Sequence, residues 1–390
     1  MAQIIRLSNT DQTDTPELLP QQETTSIDAA GELLIEVPGG DLLLNAEYNR
    51  DGQDLVLEGE DGTKAIIQNY FAMDPMPDLA TVDGAVITPK IAMALVGPLA
   101  SGQYAQAGPK ASTDPAVGEI TDMKGAIQIT RKNGVSETVE VGTQIFTGDV
   151  IITKGTATAA LVFIDGTSMS IAESARLIID ELVYNPGASK ASFNLVQGAF
   201  AFVSGSIAKE GADTMTVETP VATIGIRGTK ASIKADLSSN SVKVVLLPEA
   251  DGSTGKISIQ TASGETLLTQ PYQAGSSSSK FDAPRDLGMQ SKEQVEREFG
   301  ATLNNIPSQE TVNQSVSKQQ AAAAKNAEAN TDSEAAEGEG EAPAEGEGEG
   351  EGEGEAPAEG EREAPAEGEG KGEGKEEGKE EGKEEGKEEG

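Results

Sequence analysis

Between residues 121 and 272, short apolar runs recur at intervals of roughly 8–12 residues, the rhythm of β sandwiches, barrels and solenoids. The runs fall at 126–130, 137–141, 150–153, 159–164, 168–171 and 177–184, and continue at 192–196, 200–203, 215–218, 232–235, 242–247, 256–260 and 266–269. Asn133-Gly134, Asp165-Gly166, Pro186-Gly187 and Asp251-Gly252 fall between them. Glycine accepts the positive φ that tight turns demand, so these pairs mark reversals of the chain. Within 126–130 and 256–260 isoleucines alternate with polar residues, which puts one face of each strand in a core and the other toward water. No helical pattern interrupts the series, so 121–272 is expected to be one all-β domain.

The flanks differ in texture. Residues 1–28 are polar and are expected to form a flexible leader. Residues 29–71 hold runs at 32–37, 41–44, 54–57 and 64–67, separated by Pro38-Gly39-Gly40, Asp51-Gly52 and Asp61-Gly62, the pattern of a small β meander. Residues 72–120 carry Pro75, Pro77, Pro89, Pro98, Pro109 and Pro115 among Gly, Ala and Ser, the composition of a linker. Residues 273–330 form a second linker with short helices. Ser291-Lys-Glu-Gln294 resembles a capping box and Gly300 a C-terminal cap, predicting a helix over 291–299. An Ala-rich helix is expected near 308–329.

Composition bears most on the end of the chain. No aromatic residue follows Phe299, and residues 331–390 hold 25 acidic and 6 basic side chains, −19 of the formal −37. Ala, Gly, Glu and Pro cannot bury enough apolar surface to offset the entropy of ordering, so this segment is expected to be a disordered acidic tail. Its carboxylate density allows weak Ca²⁺ binding, though a solvating role is favoured because tight calcium sites need a preorganised cage.

Charge and missing residue types exclude several functions. No Lys/Arg cluster is available for phosphates, which argues against nucleic acid. His and Cys are absent, removing zinc sites of the usual kind, imidazole bases, thiol nucleophiles and disulfides. No cofactor is expected. The apolar run at 91–97 is far short of the roughly 20 residues that span a bilayer, and the N-terminus shows no basic-then-apolar secretory pattern.

One segment is distinctive. Thr219-Pro-Val-Ala-Thr-Ile-Gly-Ile-Arg-Gly-Thr229 resembles the signature of the FecR-domain family, T-P-x-A-x-x-x-(V/I)-R-G-T. Thr147-Gly-Asp149, 163–171 and Gln197-Gly-Ala-Phe200 resemble that family's upstream motifs in the same order, over about 121–270. Residues 71–75, 83–89 and 102–108 are similar to leaders of alphaproteobacterial FecR-domain proteins, some of which continue into large surface proteins. The chain shows neither the transmembrane helix of ferric-citrate regulators nor long adhesin repeats. The resemblance implies a sensor or scaffold at the cell envelope, with iron-linked signalling as one expectation.

The motif residues singled out are Thr219, Pro220, Ala222, Gly225, Arg227, Gly228 and Thr229, all expected to be structural. Pro220 cannot donate to a ladder and so marks a strand end. Gly225 and Gly228 bracket Arg227, which predicts a bulge that aims the guanidinium. That group could pair internally with Asp180 or Glu181, the favoured outcome, or hold a ligand carboxylate.

Catalytic patterns are weak. Ser206-Ile-Ala-Lys209 and Ser315-Val-Ser-Lys318 match S-x-x-K, without the K-T-G element of penicillin-binding enzymes. The run 225–230 lacks the spacing and the following helix of a phosphate loop. Asp180-Glu181 are strand neighbours, expected on opposite faces. Residues 49–54 miss the calcium-loop spacing, and no metal site is expected.

The fold class expected is all-β: a solenoid-like or sandwich-like domain at 121–272 behind a small β module, followed by short helices and the acidic tail. The expected function is non-catalytic: binding a protein or small ligand at the envelope. The alternative is a secreted adhesin-like surface or matrix protein. Envelope or non-classical secretion is favoured over the cytoplasm.

Overall fold

The computed structural model describes residues 24–28, 31–39, 42–97, 114–185, 187–211, 213–236 and 238–336. Residues 1–23 of the expected leader, 98–113 of the expected linker and 337–390 of the expected acidic tail, with its calcium reading, lie outside the described residues.

The described residues are dominated by strands whose hydrogen-bonded order closes on itself. The ring runs as two layers that share one long strand, Lys190–Val203. Its first half pairs with Arg176–Val183 on one side and, in parallel, with Met215–Thr219 on the other. Its second half pairs with Ser168–Ile171 and Lys230–Asp236. One layer thus continues through Ala222–Arg227, Lys256–Thr261 and Gly264–Leu268. The other continues through Ser241–Leu247, Gln273–Ser277 and Arg285–Met289. Of the two forms expected, the sandwich-like one describes this arrangement.

Period-2 alternation fills the space between the layers. Ile127, Ile129, Ile257 and Ile259 are buried, as their alternation with polar residues requires. Phe163, Phe193, Phe200 and Phe202 are fully buried, and the rings of Phe163 and Phe193 lie 5.2 Å apart.

Helices are few. Helix α1 (Leu42–Asn45) occupies a run expected as a strand. A strand would turn Leu43 away from its neighbours, whereas a single helical turn buries Leu42, Leu43 and Leu44 together. Helix α2 (Pro89–Val96) lies in the expected linker. Pro89 opens it, where a missing N–H costs nothing.

The rest of 72–97 is also built into the body. Strands Asp78–Ala80 and Val86–Ile87 pair with each other, and Leu79, Ala85, Ile87 and Ile91 join the same core cluster as the β domain. Proline-rich composition reads as a linker, but here the backbone groups find partners, so the segment packs. At the other end, Thr24–Asp28 departs from the leader reading. It runs parallel to Lys64–Gln68 as an edge strand, where polar side chains face water at no cost.

Helix α3 (Ile207–Glu210) interrupts the strand series with one turn that buries Ile207 and Ala208. Helix α4 (Lys292–Leu303) starts with the expected capping box, Ser291 accepting from Gln294 N. It runs through Gly300 because Phe299 and Thr302 are buried against the body, and packing outweighs the weak stop signal. Helix α5 spans Gln309–Ala336.

Candidate functional site

The signature residues form a ribbon of strands Met215–Thr219, Ala222–Arg227 and Lys230–Asp236. Thr219 closes the first turn: its Oγ1 accepts from Ala222 N at 3.0 Å and donates to Ala222 O at 2.9 Å. Pro220 occupies that turn, at a strand end as expected. Its carbonyl accepts from Val86 N at 2.8 Å, which ties the motif to the N-terminal region. Ser277 Oγ donates to Val221 O at 3.1 Å on the other side. Ala222 is fully buried.

Thr229 closes the second reversal. Its N–H donates to Ser204 Oγ at 2.7 Å and its carbonyl accepts from Ser204 N at 3.0 Å. Gly228 supplies φ +50° here. At Gly225 a Cβ would lie 2.6 Å from Ser258 Oγ on the adjacent strand, so no larger residue fits without a shift. The loop at Gly255 rests directly on the motif backbone, and a Cβ there would overlap the carbonyl oxygens of Arg227 and Gly228.

Arg227 does not make the internal pair. Alternation sends Ala222, Ile224 and Ile226 inward and puts Thr223, Gly225 and Arg227 on the opposite face, where Gly225 is covered and Arg227 exposed. Arg227 is exposed and forms no ion pair or side-chain hydrogen bond among the described residues. Asp180 and Glu181 are taken by Lys90 and Lys190, each at 2.7 Å. Their strand, Arg176–Val183, is separated from Ala222–Arg227 by two others. Directly opposite Arg227 in register stands Lys256, also exposed. Two like charges side by side on paired strands cost stability rather than add it.

The buried arginine–carboxylate pair lies elsewhere. Asp149, only 1% exposed, accepts from Arg131 Nη1 at 2.6 Å and from Phe146 N at 2.8 Å. Arg131 also donates to Gln144 O at 2.9 Å and to Glu137, and its guanidinium lies over the Phe146 ring. Burial holds the Asp149 carboxyl above its ordinary range, although the Phe146 N–H and Arg131 pull it back. In the sequence, Asp149 stands out only as part of Thr147-Gly-Asp149. Its partner is 18 residues away in the chain. The signal that could have found it is Arg131 itself, at the end of an alternating strand whose neighbour is Val150–Thr153.

The S-x-x-K segments do structural work. Ser206 Oγ donates to Asp165 O at 3.0 Å. Ser315 and Lys318 both grip Glu119, each at 2.6 Å, and fasten α5 to the body. Among the described residues, no group of three or more acidic side chains converges to hold a metal ion. No helix among them is long and apolar enough to cross a membrane.

Residues 149–247 match the family model described as FecR protein. The match runs from Asp149 to the end of Ser241–Leu247 and takes in the whole signature ribbon, so this segment is a FecR domain. Two crystal structures of a candidate anti-sigma factor from Parabacteroides distasonis ATCC 8503 are 11% identical to this chain, with TM-score 0.31. The matches cover 39% of this chain, and 65% and 64% of those chains, just under two thirds of their length. A solved cell surface anchoring domain is 30% identical over 16% of this chain and 80% of its own, with TM-score 0.15. No curated protein matches the chain.

Proposed function

We propose that the protein is a non-catalytic regulatory module that works at the cell envelope by binding another protein through the outward face around Arg227. The carrying observation is the exposed Arg227–Lys256 pair. It is mounted on a backbone held by Thr219, Thr229 and the Gly255 loop, and it has no anionic partner among the described residues. A stiff strand that carries two cations is a ready receptor for an acidic surface, since such complementarity sets encounter rate and register. Placement at the envelope and the finer reading of iron-linked signalling rest on the family resemblance alone.

The test is site-specific cross-linking in the organism of origin. A photoreactive residue in place of Lys256 is expected to yield one discrete adduct with another protein. Arg227→Glu is expected to abolish it without lowering the melting temperature. An adduct that survives the charge reversal, or none at all, overturns the reading.

A further inference from the structure

Ala222–Arg227 lies in one layer of the sandwich; the other layer, which includes Lys230–Asp236, carries a cleft. Its outward rows are set by register. Val162, Ser168, Val203, Lys230 and Leu247 lie side by side across five strands. The adjacent outward row includes Ser170, Ala201, Ser232, Val245 and Ala274. Helix α4 packs on Val245 and Ala274 through Val295 and Phe299, and α5 is fastened to Glu119 beside Val162. Between them the α4–α5 connection stands over the sheet and leaves a cleft of about 950 Å³. Ser168, Val203 and Lys230 line its sheet side, and Leu303, Ile306, Val312 and Val316 its helical side.

Lys230 is out of keeping with its neighbours. It is half-buried between Val203 and Leu247 and has no ion pair or side-chain hydrogen bond among the described residues. Burial alone pushes its ammonium below the ordinary lysine value, with no carboxylate offsetting it. Two carboxylates line the cleft, and neither pairs with Lys230. Asp165 accepts from Thr167 N at 2.9 Å, Thr167 Oγ1 at 2.8 Å and Ile207 N at 3.4 Å. Glu249 forms no ion pair among the described residues. Lys209 lines the same cleft and is exposed. A half-buried charge without a partner costs some stability, and such groups concentrate where they bind or react.

We propose that this cleft is a binding site for a small organic carboxylate with an apolar body. Lys230 meets the carboxylate from the floor and Lys209 from the rim, and the body lies against Leu303, Ile306, Val312 and Val316. The volume falls within the few hundred to roughly 1,000 Å³ of small-molecule sites, and an apolar lining with a few polar groups is their usual make-up. Lys230 lies in the layer opposite Arg227, while Lys209 at the rim packs beside Gly228, so Lys230 is the residue that tests this site apart from the protein-binding reading.

The probes are octanoate, which has both parts, 1-octanol, which lacks the charge, and inorganic phosphate, which lacks the body. Each is titrated into the full chain by calorimetry with chemical-shift mapping. Octanoate is expected to bind at least about tenfold more tightly than either of the others. Lys230→Met is expected to remove most of octanoate's advantage over octanol, leaving only the several-fold share of Lys209, without lowering the melting temperature, since it removes the unpaired charge and keeps the volume. Lys209→Gln, at an exposed position, is expected to weaken octanoate several-fold in a chain that folds normally. Equal binding of octanoate and octanol by the unaltered chain overturns the proposal. So does the absence of octanoate binding, or a preference that both variants keep.

Discussion

Arg131 and Arg227 occupy comparable settings, each at the end of an alternating strand, yet they meet opposite fates. Arg131 is drawn over Phe146 onto the buried Asp149, while Arg227, at the same C-terminal end of its strand, projects beside Lys256. The difference is parity. Alternation puts Arg227 on the face opposite Ala222, Ile224 and Ile226, and no carboxylate among the described residues pairs with it there, Asp213 lying over Gly225 instead. A charged residue in a family-like motif is therefore structural or available according to the face its strand assigns it.

The largest expected effect breaks the first half of that comparison. Arg131→Ala leaves Asp149 buried without its cation, and losing one partner of a buried pair costs about 3–5 kcal/mol. Denaturant unfolding should show that loss, and Arg131→Met with Asp149→Leu should recover much of it. A single variant as stable as the parent would show that the pair does not hold the fold.

Next in size is Gly255→Ala, which touches neither arginine. The added methyl collides with the carbonyls of Arg227 and Gly228, backbone atoms that cannot swing aside. Overpacking of this kind costs about 1–3 kcal/mol. Thermal melting checks it. No change would mean that the Gly255 loop yields, and that the platform under Arg227 is not stiff.

Much of this architecture is legible in the sequence, and the exceptions share a cause. The isoleucines at 127, 129, 257 and 259 announce their own strands and inward faces, and Ser291 with Gln294 announces α4. These signals are local. The Leu42–Leu44 turn, the docking of 72–97 and the Arg131–Asp149 pair depend on which strand lies beside which. That is settled by register between distant segments. Arg227 is the instructive exception. Its outward parity is written in Ala222, Ile224 and Ile226, but the flanking glycines direct attention to a bulge that the strand does not contain.

A third carboxylate separates a paired buried charge from an unpaired one. Burial raises Asp165 above the ordinary carboxylate value of 3.8, and its hydrogen bonds only partly offset this. The folded chain therefore takes up this proton at a higher pH than the unfolded chain does. The resulting stability is full below about 3.8 and is lost as pH rises through the raised folded value. Relative to Asp165→Asn, the parent should lose ground as pH climbs from acid toward neutral. Melting curves across that range check it, and a difference that does not change with pH contradicts it.

The smallest effect is the most telling for function. If Arg227 held a buried carboxylate, Arg227→Ala would unfold much of the domain, because the cost would match that of Arg131→Ala. Its exposure and lack of a partner among the described residues give the opposite expectation, within about 0.5 kcal/mol of the parent. The sign should be slightly favourable, because removing one of two like charges in register with Lys256 relieves repulsion. That gain should shrink as salt screens the pair, with a Debye length near 10 Å at about 0.1 M. Arg227→Lys keeps the charge and should show neither gain nor salt response, although it loses the guanidinium fork that a partner's carboxylate would engage. Unfolding of Arg227→Ala, Arg227→Lys and the parent at low and high salt checks all three statements. A loss of several kcal/mol in Arg227→Ala would put this arginine in the same class as Arg131, and the outward cation pair could no longer be the surface that waits for a partner.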